Sequence, residues 1–226
     1  ELVHKEKGKG EEPNGTFVSF IPDDDPAIFG KYTYNEDYIK ERLWNYAYLN
    51  KGLIISFNGK TIKSAGGLMD LVKKILGDDG LYPLINYKSR NLEFSFTHTN
   101  GYGESYHSYV NGQYTSDGGT HEAAFKEGVL KGINEYFHKS WAAPEIRDGI
   151  VATVAIKVMN PVFESQTKNK LGNTDVRAWI VPEVKAAVID VLMKNKEIAK
   201  GLEEKILSNE KVHKEEAAVR NGAKEK

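Results

Sequence analysis

The sequence predicts a mixed α/β (α+β) fold, because strand and helix periodicities both occur along it. Residues 92–97 alternate apolar and polar side chains, which is typical of a strand with one buried face. Residues 150–158 are almost continuously apolar and rich in β-branched types, which predicts a central strand covered on both faces. Apolar residues also recur every four positions, as on the buried stripe of a helix, at Phe125, Val129, Ile133 and Phe137.

The N-terminal part reads as a polar lead-in followed by a short strand. Residues 1–13 are polar, and the pattern of residues 15–21 predicts a strand that stops at Pro22. Three aspartates follow at positions 23–25. We interpret them as a polar turn and not as a metal site, because neighbours in a run point in different directions.

A helix and a strand are predicted next, and a domain boundary after them. Asn35 is the expected N-cap of a helix from Glu36 to Leu49, whose apolar residues fall at helical spacing. Gly52 then permits a turn into a strand at residues 53–57. The pattern breaks at Asn58-Gly59-Lys60, which predicts one domain at residues 1–60 and a second at 61–226.

The middle of the chain predicts a second helix and a hairpin. Residues 67–76 are amphipathic and end at Gly77. The strand at 92–97 is expected to pair with a return strand at 104–110, because Asn100-Gly101 suits the positive φ angles of a hairpin turn. Two histidines of this hairpin, His98 and His107, are interpreted as surface or hydrogen-bonded strand residues and not as metal ligands.

Asp117-Gly118-Gly119 predicts a tight turn into a helix that is capped by Thr120 and reaches about residue 138. Gly128 and Gly132 lie inside this helix, where each costs about 1 kcal/mol relative to alanine. The presence of both glycines in one helix predicts that another backbone packs closely against this face.

The C-terminal part predicts one helix with a thinning apolar stripe. Pro182 is expected in its first turn, and apolar residues follow at core spacing to residue 192. Beyond Lys194 only Ile198, Leu202 and Ile206 continue the stripe, and it nearly vanishes after residue 209. Such a helix is typical of a connection to another domain or a partner.

Composition excludes several classes of protein. The chain has 226 residues, a formal net charge of −1 and no cysteine. The charge excludes the basic excess of a stand-alone DNA-binding domain, and the lack of cysteine excludes disulfide scaffolds and cysteine-ligated zinc sites. We find no signal peptide and no apolar run that spans a bilayer, so a reducing cytoplasm is expected. The chain starts without methionine and reads as a piece of a longer protein.

The sequence lacks most of the common catalytic motifs. His121-Glu122 lacks the second histidine of a zinc protease, because position 125 is phenylalanine. No Walker-type glycine loop and no nucleophile for acyl transfer is present. One feature remains: Gln166-Thr167-Lys168, in a polar loop after the predicted central strand, places a lysine where it can bind phosphate. The residues alone indicate an αβ domain with one loop that is a candidate for phosphate contact.

Four segments resemble the B subunit of bacterial type IIA DNA topoisomerases, the topoisomerase IV type more than the gyrase type. They are residues 15–20, residues 49–53, residues 109–121 with Asp117-Gly118-Gly119-Thr120-His121, and residues 161–171 with Gln166-Thr167-Lys168. They occur in the family's order and spacing, and the resemblance runs from about Gly15 into the C-terminal helix.

The resemblance implies a specific architecture. Residues 1–60 resemble the C-terminal tail of a Bergerat-type (GHKL) ATPase domain. Residues 61–226 resemble the transducer domain, a two-layer αβ sandwich with a left-handed βαβ crossover, whose last long helix leads to the toprim domain.

The resemblance also implies the site and its partners. Lys168 is expected to act in catalysis by contacting the γ-phosphate of ATP, with Gln166 beside it and Thr16 near the adenine end. ATP and Mg²⁺ are expected in the full-length protein, and this piece alone is expected to hold neither them nor a metal site, and to be inactive. The implied partners are DNA, the topoisomerase A subunit and a second B subunit, which dimerises through the missing part of the ATPase domain. The implied location is the bacterial cytoplasm, with no membrane contact.

Two other interpretations of the same residues stay open at this stage. The chain is alternatively a non-catalytic αβ interaction module, in which the 163–173 loop is an exposed turn. The second alternative is the second domain of another GHKL ATPase. The presence of two motifs together argues against it: Gly118-Gly119-Thr120-His121 and Gln166-Thr167-Lys168.

Overall fold

A computed structural model describes residues 15–23, 25, 27–30 and 32–224, with side chains up to residue 219. The chain divides into two compact units, Glu1–Glu36 and Asp37–Lys226. The helices are α1 (Glu36–Leu49), α2 (Leu68–Leu76), α3 (Thr120–Phe137), α4 (Ala143–Arg147), α5 (Val176–Lys194) and α6 (Lys196–Lys224). The strands are β1 (Ile55–Phe57), β2 (Lys60–Ile62), β3 (Ile85–Lys88), β4 (Leu92–His98), β5 (Ser105–Val110), β6 (Gln113–Tyr114) and β7 (Ile150–Ile156).

The strand expected at residues 15–21 is wrong. These residues have no regular secondary structure, and Phe17, Phe20 and Ile21 are exposed. A strand needs a partner for its backbone hydrogen bonds, and none of the described residues pairs with this segment. The acidic run forms a local turn, in which the Asp25 carboxylate accepts a hydrogen bond from the Ala27 N–H, while Asp24 lies outside the described residues.

The first helix is confirmed from Glu36 to Leu49, and the break after it is a hairpin turn. Asn58 and Gly59 have φ angles of 48° and 74° and connect β1 to β2 as a two-residue loop. The expected boundary at residue 60 thus falls inside this hairpin and within the second compact unit. The division into domains 1–60 and 61–226 stays a prediction.

The main sheet has the strand order β3-β4-β7-β5-β6. All neighbours are antiparallel except β5 and β7, which are parallel and connected through α3, so the mixed α/β fold with a βαβ crossover is confirmed. The predicted strands at 92–97 and 104–110 are present, but the hairpin between them is wrong. β7 lies between β4 and β5, because its apolar side chains on both faces are best buried at the centre of the sheet.

Helices cover the two faces of the sheet unequally. The main core joins one face to α3 and α5, with Phe94 and Phe96 packed on Phe125. On the opposite face, Leu68 and Leu71 of α2 form a smaller cluster. The expectation that β4 has one polar, solvent-facing side is therefore wrong.

The polar residues of β4 are buried and mostly hydrogen-bonded. Thr97 Oγ1 donates to the Tyr82 carbonyl at 2.9 Å. His98 is fully buried, and its Nε2 donates to the Ile146 carbonyl at 2.7 Å, so its Nδ1 accepts from the Tyr82 hydroxyl. The interpretation of His98 as a hydrogen-bonded histidine is confirmed.

The two glycines of α3 contact α5 directly, as predicted. A Cβ at Gly128 would lie 2.7 Å from the Cβ of Val184, and one at Gly132 would lie 3.0 Å from the Lys185 carbonyl oxygen. Real Cβ atoms essentially never approach as closely as the Gly128 contact, and the Gly132 contact is tighter than most, so the two glycines allow the helices to pack at this distance. The predicted stripe of α3 is buried at Phe125, Val129 and Ile133.

Two predicted helix starts are wrong. The N-cap of α3 is Gly119 and not Thr120, and no side-chain cap hydrogen bond forms there. Pro182 lies inside α5 and not in its first turn, because α5 begins at Val176, whose side chain is fully buried with that of Ile180. Burial of these apolar residues outweighs the backbone hydrogen bond that proline removes.

The last helix is separate from α5 and partly packed on the core. The chain breaks at Asn195, which has extended φ and ψ angles of −131° and 91°. Ile198, Leu202 and Ile206 are buried, and Asn209 Nδ2 donates to the carbonyls of Glu145 and Asp148 at 2.9 Å each. Most residues of α6 from 211 to 219 are exposed.

The short elements β2, β3, β6 and α4 are not predicted by the sequence patterns. Each has two to five residues, which is too short for a periodicity to be read. They lie at the edges of the sheet or between larger elements.

Candidate functional site

The loop between β7 and α5 forms a narrow hairpin, which we call the lysine loop (residues 160–173). Its two sides are joined by hydrogen bonds from the Glu164 N–H to the Lys170 carbonyl at 3.0 Å and from the Gly172 N–H to the Val162 carbonyl at 2.8 Å. At its base the Asn173 Oδ1 accepts from the Val162 N–H at 2.6 Å. The loop therefore has a defined backbone conformation despite its polar sequence.

Lys168 lies at the tip of this hairpin. Its N–H donates to the Ser165 carbonyl at 3.1 Å, which closes a tight turn, and its φ angle is 58°. A non-glycine residue in this left-handed region costs about 1–2 kcal/mol. Such strained residues are held by surrounding structure and cluster at functional sites.

The Lys168 ammonium and the Gln166 amide are exposed, and neither has a hydrogen bond or ion pair to the part of the chain that the structure describes. Lys170, in contrast, forms an ion pair with Glu164 at 3.1 Å. Ser165 and Thr167 hydroxyls bond to each other at 2.7 Å. The tip thus presents one unneutralised cation and one neutral donor.

The lysine loop is held against the Gly118-Gly119 turn by backbone hydrogen bonds. Gly119 and Leu171 form a parallel β-bridge, in which the Leu171 N–H donates to the Gly118 carbonyl at 3.2 Å and the Thr120 N–H donates to the Leu171 carbonyl at 3.0 Å. Near the tip, the Asp117 N–H donates to the Asn169 carbonyl at 3.0 Å. The two motifs that the sequence singled out are therefore in direct contact.

Gly119 is required for this contact. Its φ angle is 135°, and a Cβ there would lie 2.5 Å from both the backbone nitrogen and oxygen of Leu171. Leu171 itself is fully buried in the main core. The turn and the buried leucine together fix the position of the loop.

A buried polar network lies in the same region, next to the Gly118-Gly119 turn. The His121 Nε2 is 3.2 Å from Thr115 Oγ1, and Thr115 bonds to the Ser108 hydroxyl at 2.7 Å, which reaches Glu122 at 3.0 Å. Burial lowers the pKa of His121 to about 4, so its ring is neutral at pH 7. The His121 Nδ1 is buried and has no hydrogen-bond partner among the described residues.

Thr16 belongs to the other compact unit. It is exposed and lies in the segment without regular structure. The structure therefore joins Gln166 and Lys168 to the glycine turn, and it does not relate Thr16 to them.

Sequence reasoning missed Leu171 and the β-bridge that it forms. A single apolar residue in an otherwise polar loop is a weak signal of burial, and nothing in either motif states that the two are neighbours. Periodicity describes which face of an element is buried, but it does not report contacts between loops.

Within residues 15–23, 25, 27–30 and 32–224, no group of three or more His, Asp or Glu side chains is arranged to bind a metal ion. In the same part of the chain, no helix has the length and apolar character needed to cross a bilayer.

Comparison with known proteins gives consistent relatives. The family model for DNA gyrase B matches residues 36–222. The B subunit of DNA topoisomerase 4 from Borreliella burgdorferi is 46% identical over the whole chain, which covers 37% of that relative. The B subunit of DNA gyrase from Thermotoga maritima is 34% identical over 92% of the chain, which covers 36% of that relative. The chain thus spans little more than a third of these relatives.

Solved structures agree with the sequence relatives. The 43K ATPase domain of Thermus thermophilus gyrase B, in complex with an aminocoumarin, is 29% identical with a TM-score of 0.74, over 87% of this chain and 59% of that one. The topoisomerase IV ATP-binding domain of Francisella tularensis is 25% identical with a TM-score of 0.66, over 79% of this chain and 54% of that one.

Proposed function

Because this chain belongs to the DNA gyrase B family, we propose that it couples ATP bound in a neighbouring domain to the movements of a DNA topoisomerase. The chain is a piece of the ATPase region of a type IIA topoisomerase B subunit. The proposal concerns what this piece does. The whole protein would pass one DNA duplex through another, together with an A subunit and a second B subunit, in the bacterial cytoplasm.

The observation that carries the proposal is the unneutralised Lys168 ammonium at the tip of a fixed loop. A preorganised cation stabilises the charge that spreads over the γ-phosphoryl oxygens during hydrolysis more than it stabilises the ground state. Because the loop is held by Gly119 and Leu171, the backbone that carries the ammonium needs little reorganisation when the ammonium meets the phosphate. Gln166 would donate a neutral hydrogen bond beside it, and Thr16 would lie near the adenine end.

The path from the loop into the molecule supports a role in coupling. The lysine loop is continuous with β7 at one end and with α5 at the other, and α5 packs on α3 at Gly128 and Gly132. ATP bound to Lys168 would hold the ATPase and transducer domains together, and phosphate release would let them separate. Rigid, closely packed helices transmit such a displacement without absorbing it.

Apart from Thr16, the adenine-binding and Mg²⁺-binding residues of the family would lie in the part of the ATPase domain that precedes this sequence. We therefore expect that the 226-residue chain alone does not turn over ATP, and that ATP and Mg²⁺ act only in the full-length protein. Steady ATP hydrolysis by the purified chain would contradict this assignment.

The decisive test is Lys168→Ala in the full-length protein. Loss of one preorganised charge is expected to reduce the rate of ATP turnover roughly 10²–10³-fold, with a smaller effect on nucleotide binding. Lys170→Ala is the matched control, because this lysine lies in the same loop but pairs with Glu164, and it should stay within about twofold of the unmodified protein. Normal turnover by Lys168→Ala would show that Lys168 is a surface residue and that the proposal is wrong.

A further inference from the structure

A cavity lies between α1, α2 and the β5–β6 edge of the sheet, and it shares no residue with the lysine loop. Its volume is about 470 Å³, which is within the range of small-molecule sites. Three tyrosines, one histidine and two cationic side chains line it, together with Leu71, Ile75, Glu41 and Asn45.

One wall of this cavity is aromatic. His107 and Tyr109 lie two residues apart on β5, so their side chains point to the same face, and Tyr114 of β6 is the register partner of Tyr109. The ring centroids of Tyr109 and Tyr114 are 5.3 Å apart, and those of His107 and Tyr114 are 6.2 Å apart. This wall offers edges and faces on which another planar ring can stack.

His107 carries an unsatisfied polar atom at this wall. Its Nδ1 is inaccessible to solvent and has no hydrogen-bond partner among the described residues. Burial lowers the pKa of His107, so the ring is neutral at pH 7. His107 therefore contributes a neutral ring to the aromatic wall, and the ring itself, not its Nδ1, is the part that lines the cavity.

The charges at the cavity favour an anion. Arg42 and Lys74 contribute two positive charges, against the single negative charge of Glu41. The Arg42 guanidinium is oriented by a 3.1 Å hydrogen bond to the Tyr38 hydroxyl and lies 5.5 Å from the centre of that ring. That bond uses one of the five guanidinium N–H donors.

We propose that this cavity binds a small planar aromatic molecule that carries a phosphate or carboxylate group. The ring packs on the wall of His107, Tyr109 and Tyr114, and the anionic group pairs with Arg42 and Lys74. This site is independent of the assignment of Lys168, because none of its lining residues belongs to the lysine loop.

The test uses phenyl phosphate as the probe and the His107 ring nitrogens as the reporter, in long-range ¹H–¹⁵N spectra of the 226-residue chain. The His107 signals are identified by their loss in His107→Gln. We expect saturable shifts of these signals, with a dissociation constant of about 1 mM for so small a ligand. Benzyl alcohol and inorganic phosphate, which each carry half of the probe, should bind at least about tenfold more weakly, because each makes only part of the contacts.

Two neighbouring lysines of α2 provide a matched pair. Lys74 lines the cavity and Lys73, which is also exposed, does not. Lys74→Ala is expected to weaken phenyl phosphate binding about fivefold, the upper range for an exposed ion pair, and Lys73→Ala less than about twofold. Circular dichroism shows whether each variant is folded. Equal effects of the two lysines, equal shifts with inorganic phosphate, or no saturable shift at His107 would each overturn the proposal.

Discussion

Replacing Gly119 with alanine tests whether the glycine turn and the lysine loop form one unit. The φ and ψ angles of Gly119 are 135° and −167°, a region that is essentially restricted to glycine, and a side chain there costs about 1–3 kcal/mol. The added Cβ would also meet the Leu171 backbone at 2.5 Å and displace it. The hydrogen bonds that join Leu171 to Gly118 and Thr120 would then be weakened, and each contributes about 0.5–1.5 kcal/mol to stability.

The expected total for Gly119→Ala is a loss of about 2–6 kcal/mol in the free energy of unfolding. For a chain of this size that is a fall of about 4–24 °C in melting temperature. The assay is urea unfolding of the chain, followed by far-UV circular dichroism. The same change in the full-length protein is expected to lower ATP turnover, because it displaces Lys168.

Gly112→Ala is the control for backbone strain alone. Gly112 also has a positive φ angle, 83°, but a Cβ there meets nothing within 4 Å. It is expected to cost only about 1–2 kcal/mol. If Gly119→Ala were no more destabilising than Gly112→Ala, the contact between Gly119 and Leu171 would not be what holds the lysine loop.

Three further outcomes are expected for stability. Burial lowers the pKa of His98 to about 4, so the unfolded chain binds a proton more readily than the folded chain. The free energy of unfolding should therefore fall by about 3 kcal/mol as the pH drops from about 6.5 to 4, and it should stay flat above that range. Gly128→Ala should destabilise by about 1–2 kcal/mol, because the contact with Val184 outweighs the gain in helix propensity. Lys168→Gly should be about 1 kcal/mol more stable than Lys168→Ala, because glycine tolerates the φ angle of 58°.

Each of these outcomes has its own check. Unfolding of His98→Gln between about pH 4 and 8 should show a shallower pH dependence, with His107 and His121 contributing to the remainder; an unchanged slope would contradict the assignment. The double variant Gly128→Ala/Val184→Gly, which removes the contacting Val184 Cβ and Cγ1, should be less destabilised than the sum of the single changes, and strict additivity would mean that the two side chains do not meet. Equal stabilities of the two Lys168 variants would mean that this backbone is not strained.

The candidate site was only partly accessible from sequence. The composition of the loop singled out Lys168 as a phosphate-binding candidate, and the resemblance named a role for it. The fixed position of the loop that carries the ammonium depends on the bridge between Gly119 and Leu171, which joins residues far apart along the chain. Conformational preferences of neighbouring residues do not encode such a contact.

Some features of the fold were likewise predicted from the sequence, and others were not. Strong periodicity identified α2, α3 and β7, and the Gly128–Gly132 pair correctly indicated close helix packing, because each signal arises within one segment. The hairpin between β4 and β5 was mispredicted for the opposite reason: the turn residues were suitable, but β7 competed for the same edge.

Local patterns in the chain were enough to specify most of the long helices and strands, the buried stripe of α3, and one loop with a lysine suited to phosphate. Long-range packing was needed to place β7 between β4 and β5, to start α5 before Pro182, and to anchor the lysine loop through Leu171 and Gly119. The two kinds of information differ because burial of apolar surface and pairing of backbone groups are shared among distant segments. Their most favourable arrangement is a property of the whole chain, and no single segment specifies it.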